Sequence, residues 1–114
     1  MAGKKKNTFI KSYIQLLADN PDPKLTQLLL KTAPDDVIKT ICNAAYNLTN
    51  GSVPLSKSRK TFFRKYKLPI TILVQPNRDI RQKKRVLVQK GGGYFVPLLL
   101  STVLPLITSL LQRR

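Results

Sequence analysis

Apolar residues recur every three or four positions along most of this chain. Over residues 8–18, "TFIKSYIQLLA", the spacing of Phe9, Ile10, Tyr13, Ile14, Leu16 and Leu17 predicts an amphipathic helix. "DNPDP" stops it. Within that stop Asp22 can cap, and Pro23 can open, a second short helix with Leu25, Leu28 and Leu29 on one face. The clearest element is "TAPDDVIKTICNAAYNLTNG", residues 32–51. Thr32 or Ala33 stands at its start, Pro34 falls near its first turn, and Asp35 and Asp36 put negative charge on the positive end of the helix dipole. Val37, Ile38, Ile41, Cys42, Ala45 and Leu48 form the stripe it would bury, and Asn50-Gly51 is a natural stop. This helix is expected at the centre of the core.

Beyond it the pattern becomes basic. In "PLSKSRKTFFRKYKLP", Ser56 is a candidate N-cap, with Phe62, Phe63 and Tyr66 set between cations. "ITILVQP" has the β-branched content of a strand, but a buried helical turn suits a chain that is otherwise helical. Asn77 is then the expected cap of a last basic helix, "RDIRQKKRVLVQK", with Ile80, Leu87 and the stem of Lys84 facing inward. After Gly91, Gly92 and Gly93 comes "YFVPLLLSTVLPLITSLL", residues 94–111, which carries no Asp, Glu, Lys or Arg. As a helix it would extend about 27 Å, the short limit for crossing a hydrocarbon core. Pro97 fits a first turn, whereas Pro105 is expected to kink or end the helix.

Charge then separates the chain into parts. Residues 19–48 are nearly neutral, while 57–90 hold twelve Lys/Arg and one Asp within a chain of formal net charge +16. So lopsided a tract implies a polyanionic partner, because self-repulsion opposes compaction unless counter-charge is supplied. The one cysteine excludes an internal disulfide framework, and the absence of histidine removes the usual metal spacings. "MAGKKKNTFIKSY" has no apolar run of the secretory kind, and Ala2 fails the myristoylation pattern.

Catalysis finds little to work with. Of five carboxylates, four are expected at helix starts and Asp79 stands alone among cations; Cys42 lies on a buried stripe with no histidine to activate it. The expectation is therefore no enzyme, no cofactor, no metal and no small-molecule substrate. "QKGGG" suggests a phosphate loop, but its lysine precedes the glycines and no phosphate-loop motif is completed. The aromatic trio could stack on single-stranded bases, although such clusters more often belong to a core.

The order of pieces also carries a resemblance. "LLLKTAPDDVIKTICNAAYNLTNGSVPLS", an aromatic-basic stretch and "KKRVLVQKGGGYFVPLLLSTVLP" together resemble small proteins of Maverick/Polinton elements and adintovirus-like genomes, across residues 28–106. "LVQKGGGYFVPLLL" is the most specific piece. The resemblance implies a small late virion protein, located in the virion and in the host nucleus during assembly. It is similar in style to the adenoviral core peptide mu and to the adenoviral membrane-lytic internal protein. Adenovirus-type proteases cut after a large aliphatic residue, any residue, then Gly-Gly or Gly-X-Gly. Here Gln89 stands where the aliphatic residue is required and Val88 is one position too early, a departure from that pattern; cleavage within Gly91, Gly92 and Gly93 is the alternative to a hinge.

The resulting expectation is mainly α. It has a basic flexible N-terminus at 1–7, a small domain of about three to five short helices at 8–55, and a basic nucleic-acid-facing region with a basic helix at 56–90. A glycine hinge at 91–93 and a hydrophobic helical tail at 94–114 complete it. DNA phosphate would be met, without base specificity, by Arg59, Lys60, Arg64, Lys65, Lys67, Arg78, Arg81, Lys83, Lys84, Arg85 and Lys90. Tyr94, Phe95, Leu98, Leu99, Leu100, Leu104, Ile107 and Leu110 would meet capsid protein or an anionic membrane. The alternatives are a membrane-active virion protein and a minor capsid cement protein.

Overall fold

A computed structural model describes residues 2–20, 22–50, 56–90 and 95–112, with side chains over 7–20, 22–50, 56–89 and 95–108. Its helices are α1 (Ala2–Asp19), α2 (Pro23–Lys31), α3 (Asp35–Thr49), α4 (Lys57–Lys65), α5 (Lys67–Val74), α6 (Ile80–Lys90) and α7 (Phe95–Gln112). That makes seven helices and no strand among the described residues, which corrects the expected small domain of three to five short helices with a separate basic helix and tail. Of the apolar run "ITILVQP", Ile70 to Val74 fall in the helix α5, and Gln75 follows as its extended C-cap.

α3 holds the middle. It packs on α1, α5, α6 and α7, and its buried residues Val37, Ile38, Ile41, Cys42, Ala45 and Leu48 are the anticipated stripe, widened by Ala44. A helix touched on several sides needs small residues where neighbours approach closely, and Ala44 and Ala45 supply them. α1 contributes Ile10, Ile14 and Leu17, leaving Phe9 and Leu16 exposed. The Tyr13 hydroxyl donates to the Leu29 carbonyl at 2.6 Å and ties α1 to α2.

In α2 the expected cap is present, since the Asp22 carboxylate accepts from the Lys24 N–H at 3.0 Å with Pro23 in the first turn. The buried face is different from the expected one. Thr26 and Leu30 point inward, while Leu25 and Leu28 are 41% and 56% exposed. Thr26 is buried because its hydroxyl is satisfied on both sides, donating to the Asp22 carbonyl and accepting from the Asn20 amide.

α7 is the largest departure. Phe95, Val96, Leu99, Leu100, Val103 and Ile107 are all buried, and the helix packs on α1 and α3. What looks in sequence like a detachable tail is a core helix. Pro105 neither starts nor ends it, for α7 continues to Gln112. The proline deprives the Ser101 carbonyl of its i+4 donor, but both residues are solvent-exposed, so water can replace the lost bond. The Cα radius of gyration, 13.2 Å, matches the ~13 Å of a compact chain of about 100 residues.

Candidate nucleic-acid interface

The basic tract folds as three helices with different duties. α4 opens on Ser56, whose hydroxyl accepts from the Arg59 N–H at 3.3 Å. Its inner face carries Phe62, buried, with Phe63 and Tyr66 partly buried. Phe62 stacks on Phe95 of α7 with centroids 5.8 Å apart, and Tyr66 lies 5.0 Å from the same ring. The aromatic trio is therefore core, and its rings are engaged by protein. Lys57, Lys60, Thr61 and Arg64 form the outer stripe at helical spacing, all exposed, continued by Lys65 and Lys67.

Arg59 is half-buried and turned from the outer stripe toward α7. Its guanidinium donates to the Leu98 carbonyl at 3.4 Å and to the Ser101 and Thr102 hydroxyls at 3.2 and 2.5 Å. It clasps α7 near the turn that lacks the Pro105 N–H. α5 then places Ile70 and Leu73 in the core and divides the cationic tract in two.

α6 is capped by Asp79, not by Asn77. The Asp79 carboxylate accepts from the Arg81 N–H at 3.2 Å, and its carbonyl accepts from the Gln82 and Lys83 N–H groups. The carboxylate that sequence left isolated is thus a helix start, whereas Asp19 closes α1. Leu87 is buried, and Ile80, Lys83, Lys84, Val86 and Val88 are half-buried. Arg81, Arg85 and Gln89 face solvent, as does Arg78, whose guanidinium donates to the Gln75 amide oxygen at 2.7 Å. Lys84 donates to the Ala33 carbonyl at 2.7 Å, just past the end of α2. Lys83 lies on the α3 side, close enough for its charge to act on Cys42. Burial dominates at that thiol and pushes it up to about 11, with Lys83 pulling the other way.

Of the eleven cations expected to meet phosphate, seven are exposed: Lys60, Arg64, Lys65, Lys67, Arg78, Arg81 and Arg85. Arg59 and Lys84 hold the fold together, Lys83 is half-buried, and the side chain of Lys90 lies outside the described residues. Among the residues expected to meet capsid or lipid, Phe95, Leu99, Leu100 and Ile107 are buried and Leu104 is partly so; Leu98 alone is exposed. Tyr94, the glycines at 91–93 and the side chain of Leu110 lie outside the described residues. No described helix is long and apolar enough to cross a membrane. No cluster of metal-ligating side chains occurs among the described residues.

Sequence reasoning missed Lys31. The α2–α6 pairing is antiparallel, since Gln27 donates to the Val88 carbonyl and Lys84 to that of Ala33. This brings Lys31 beside Arg81, Lys84 and Arg85, around a shallow groove of about 300 Å³ completed by Val88 and Gln89. No signal local to α2 marks Lys31, because its partners lie some fifty residues downstream. No protein-family model, curated protein or solved structure matches the chain.

Proposed function

We propose that this chain is a non-enzymatic virion accessory protein that neutralises packaged DNA, binding phosphate without base specificity. The observation that carries the nucleic-acid half is the exposure of seven cations on the outer faces of α4 and α6 and the segments beside them. A surface that need only stay soluble intersperses both signs, whereas Asp79 is the one carboxylate between Lys57 and Lys90, and it caps a helix. The virion setting is supported by the resemblance carried by "LVQKGGGYFVPLLL". The apolar side chains of α7 serve the core, so the reading places the function on the cationic faces.

Titrating fluorescently labelled random-sequence duplex with the full chain at several salt concentrations tests the nucleic-acid half. With roughly five or six phosphate contacts, log affinity should fall with log salt at a slope near −5. Absent or salt-independent binding would refute it. Mass spectrometry of purified particles tests the virion half; absence of the chain from the particle removes that setting.

A further inference from the structure

Within that nucleic-acid reading, the α2–α6 groove combines an apolar lining with cationic side chains. Its lining is almost all carbon, contributed by Val88 and the aliphatic stems of Lys31, Lys84, Arg81 and Arg85, while its rim is cationic. The Lys84 ammonium is fixed by its bond to the Ala33 carbonyl, and two of its three protons remain for another acceptor. Arg81 and Arg85 stand one turn apart on the solvent side of α6, roughly 6 Å along the axis. Gln89, exposed at the groove's edge, offers both an amide donor and an acceptor.

An apolar floor within a cationic rim is mismatched to a duplex, which presents phosphates outward and keeps its bases stacked inside. It matches one unstacked nucleotide, whose base has apolar faces and polar edges and whose phosphates are anionic. No aromatic side chain lines the groove, and the rings of the basic tract, Phe62 and Tyr66, pack on each other and on Phe95. The groove volume, about 300 Å³, is at the small end of ligand sites and suits one nucleotide rather than a base pair.

We infer that the α2–α6 groove is a single-strand site: a base lies on Val88 and the Lys and Arg stems, Gln89 meets its edge, and Lys31, Arg81 and Arg85 hold the flanking phosphates. The chain then prefers single-stranded nucleic acid to duplex at equal salt, with the preference localised to this groove.

The test compares a labelled oligothymidylate with a duplex of equal phosphate number, using the full chain. The expected result is at least tenfold tighter binding of the single strand. Arg81→Ala with Arg85→Ala should abolish that preference. Lys60→Ala with Arg64→Ala, an equal loss of charge on α4, should weaken both forms by a similar factor and keep it. All four positions are exposed, and circular dichroism of each variant confirms that the fold is kept. Equal binding of both forms by the intact chain, or equal effects of the two double substitutions on the preference, overturns the groove assignment while leaving the charge-based function standing. Failure of both forms to bind overturns the two readings together.

Discussion

Lys84 and Ala33, fifty-one residues apart, are joined by a 2.7 Å hydrogen bond from an ammonium to a main-chain carbonyl. The bond sits just beyond the C-terminus of α2, where the helix leaves its carbonyls unpaired and its dipole favours positive charge. It turns a residue of the charged tract into a fastening between α2 and α6. Replacing Lys84 with Met keeps the stem and removes the bond, and should cost about 1–2 kcal/mol of stability. Urea denaturation reads this directly, and an unchanged midpoint would show that the contact contributes nothing.

The interior position of α7 predicts a sharp difference between neighbours. Leu98 is 41% exposed and Leu99 is fully buried. Leu99→Ala should cost about 2–5 kcal/mol and Leu98→Ala less than about 1. Thermal unfolding followed by circular dichroism separates the two. Similar small losses for both would mean that the helix does not belong to the core.

Phe95 offers a second test of the same helix through its partner. It stacks on Phe62 across the α4–α7 contact and is itself buried. Phe95→Ala should destabilise by about 3–5 kcal/mol, with Phe62→Ala less than additive, because both remove one shared contact. A double-mutant cycle in urea measures the coupling; strict additivity would rule out the pairing.

Capping assigns α6 to Asp79. Asp79→Ala should lower stability by about 1 kcal/mol, while Asn77→Ala should leave it within about 0.5. If Asn77 proves the costlier substitution, the helix starts earlier than Ile80.

Cys42 gives a pH dependence with a definite sign. Its thiol titrates near 11 in the fold against an ordinary 9.0, chiefly because burial disfavours the thiolate. Below about pH 9 both folded and unfolded chains keep the proton and the thiol adds no pH dependence. Between about 9 and 11 the unfolded chain releases it first, so stability falls with rising pH, by about 3 kcal/mol at most. The difference between the intact chain and Cys42→Ala isolates this from the titration of lysines and tyrosines. An identical pH profile for the two would place the thiol in solvent, as would rapid labelling by a disulfide reagent at pH 8 under native conditions.

Much of this architecture was legible in local pattern. α3 has a buried stripe set by 3.6-residue periodicity, and the Asp22 and Ser56 caps follow from side chains that can reach an adjacent N–H. These depend on residues a few positions apart, where sequence distance and spatial distance agree. Pattern failed where one face of a helix had to be chosen between competitors. α2 offered Leu25, Leu28 and Leu29 against Thr26 and Leu30, and the choice followed from the Asn20 amide and Asp22 carbonyl that satisfy Thr26.

The sequence by itself determined the helical periodicity of several segments, the imbalance of charge and the scarcity of catalytic groups, since these are properties of composition and short-range spacing; it did not determine that seven helices share one fold. Tertiary structure decided what each group is for. An uncharged apolar helix serves equally as a membrane segment or as a core, and only the presence of α1 and α3 against α7 selects the core. A lysine or arginine likewise serves as phosphate ligand or internal fastener according to what lies within hydrogen-bond reach. For Arg59 and Lys84 that reach is to backbone carbonyls far along the chain, and for Lys31 it is to a groove built from another helix.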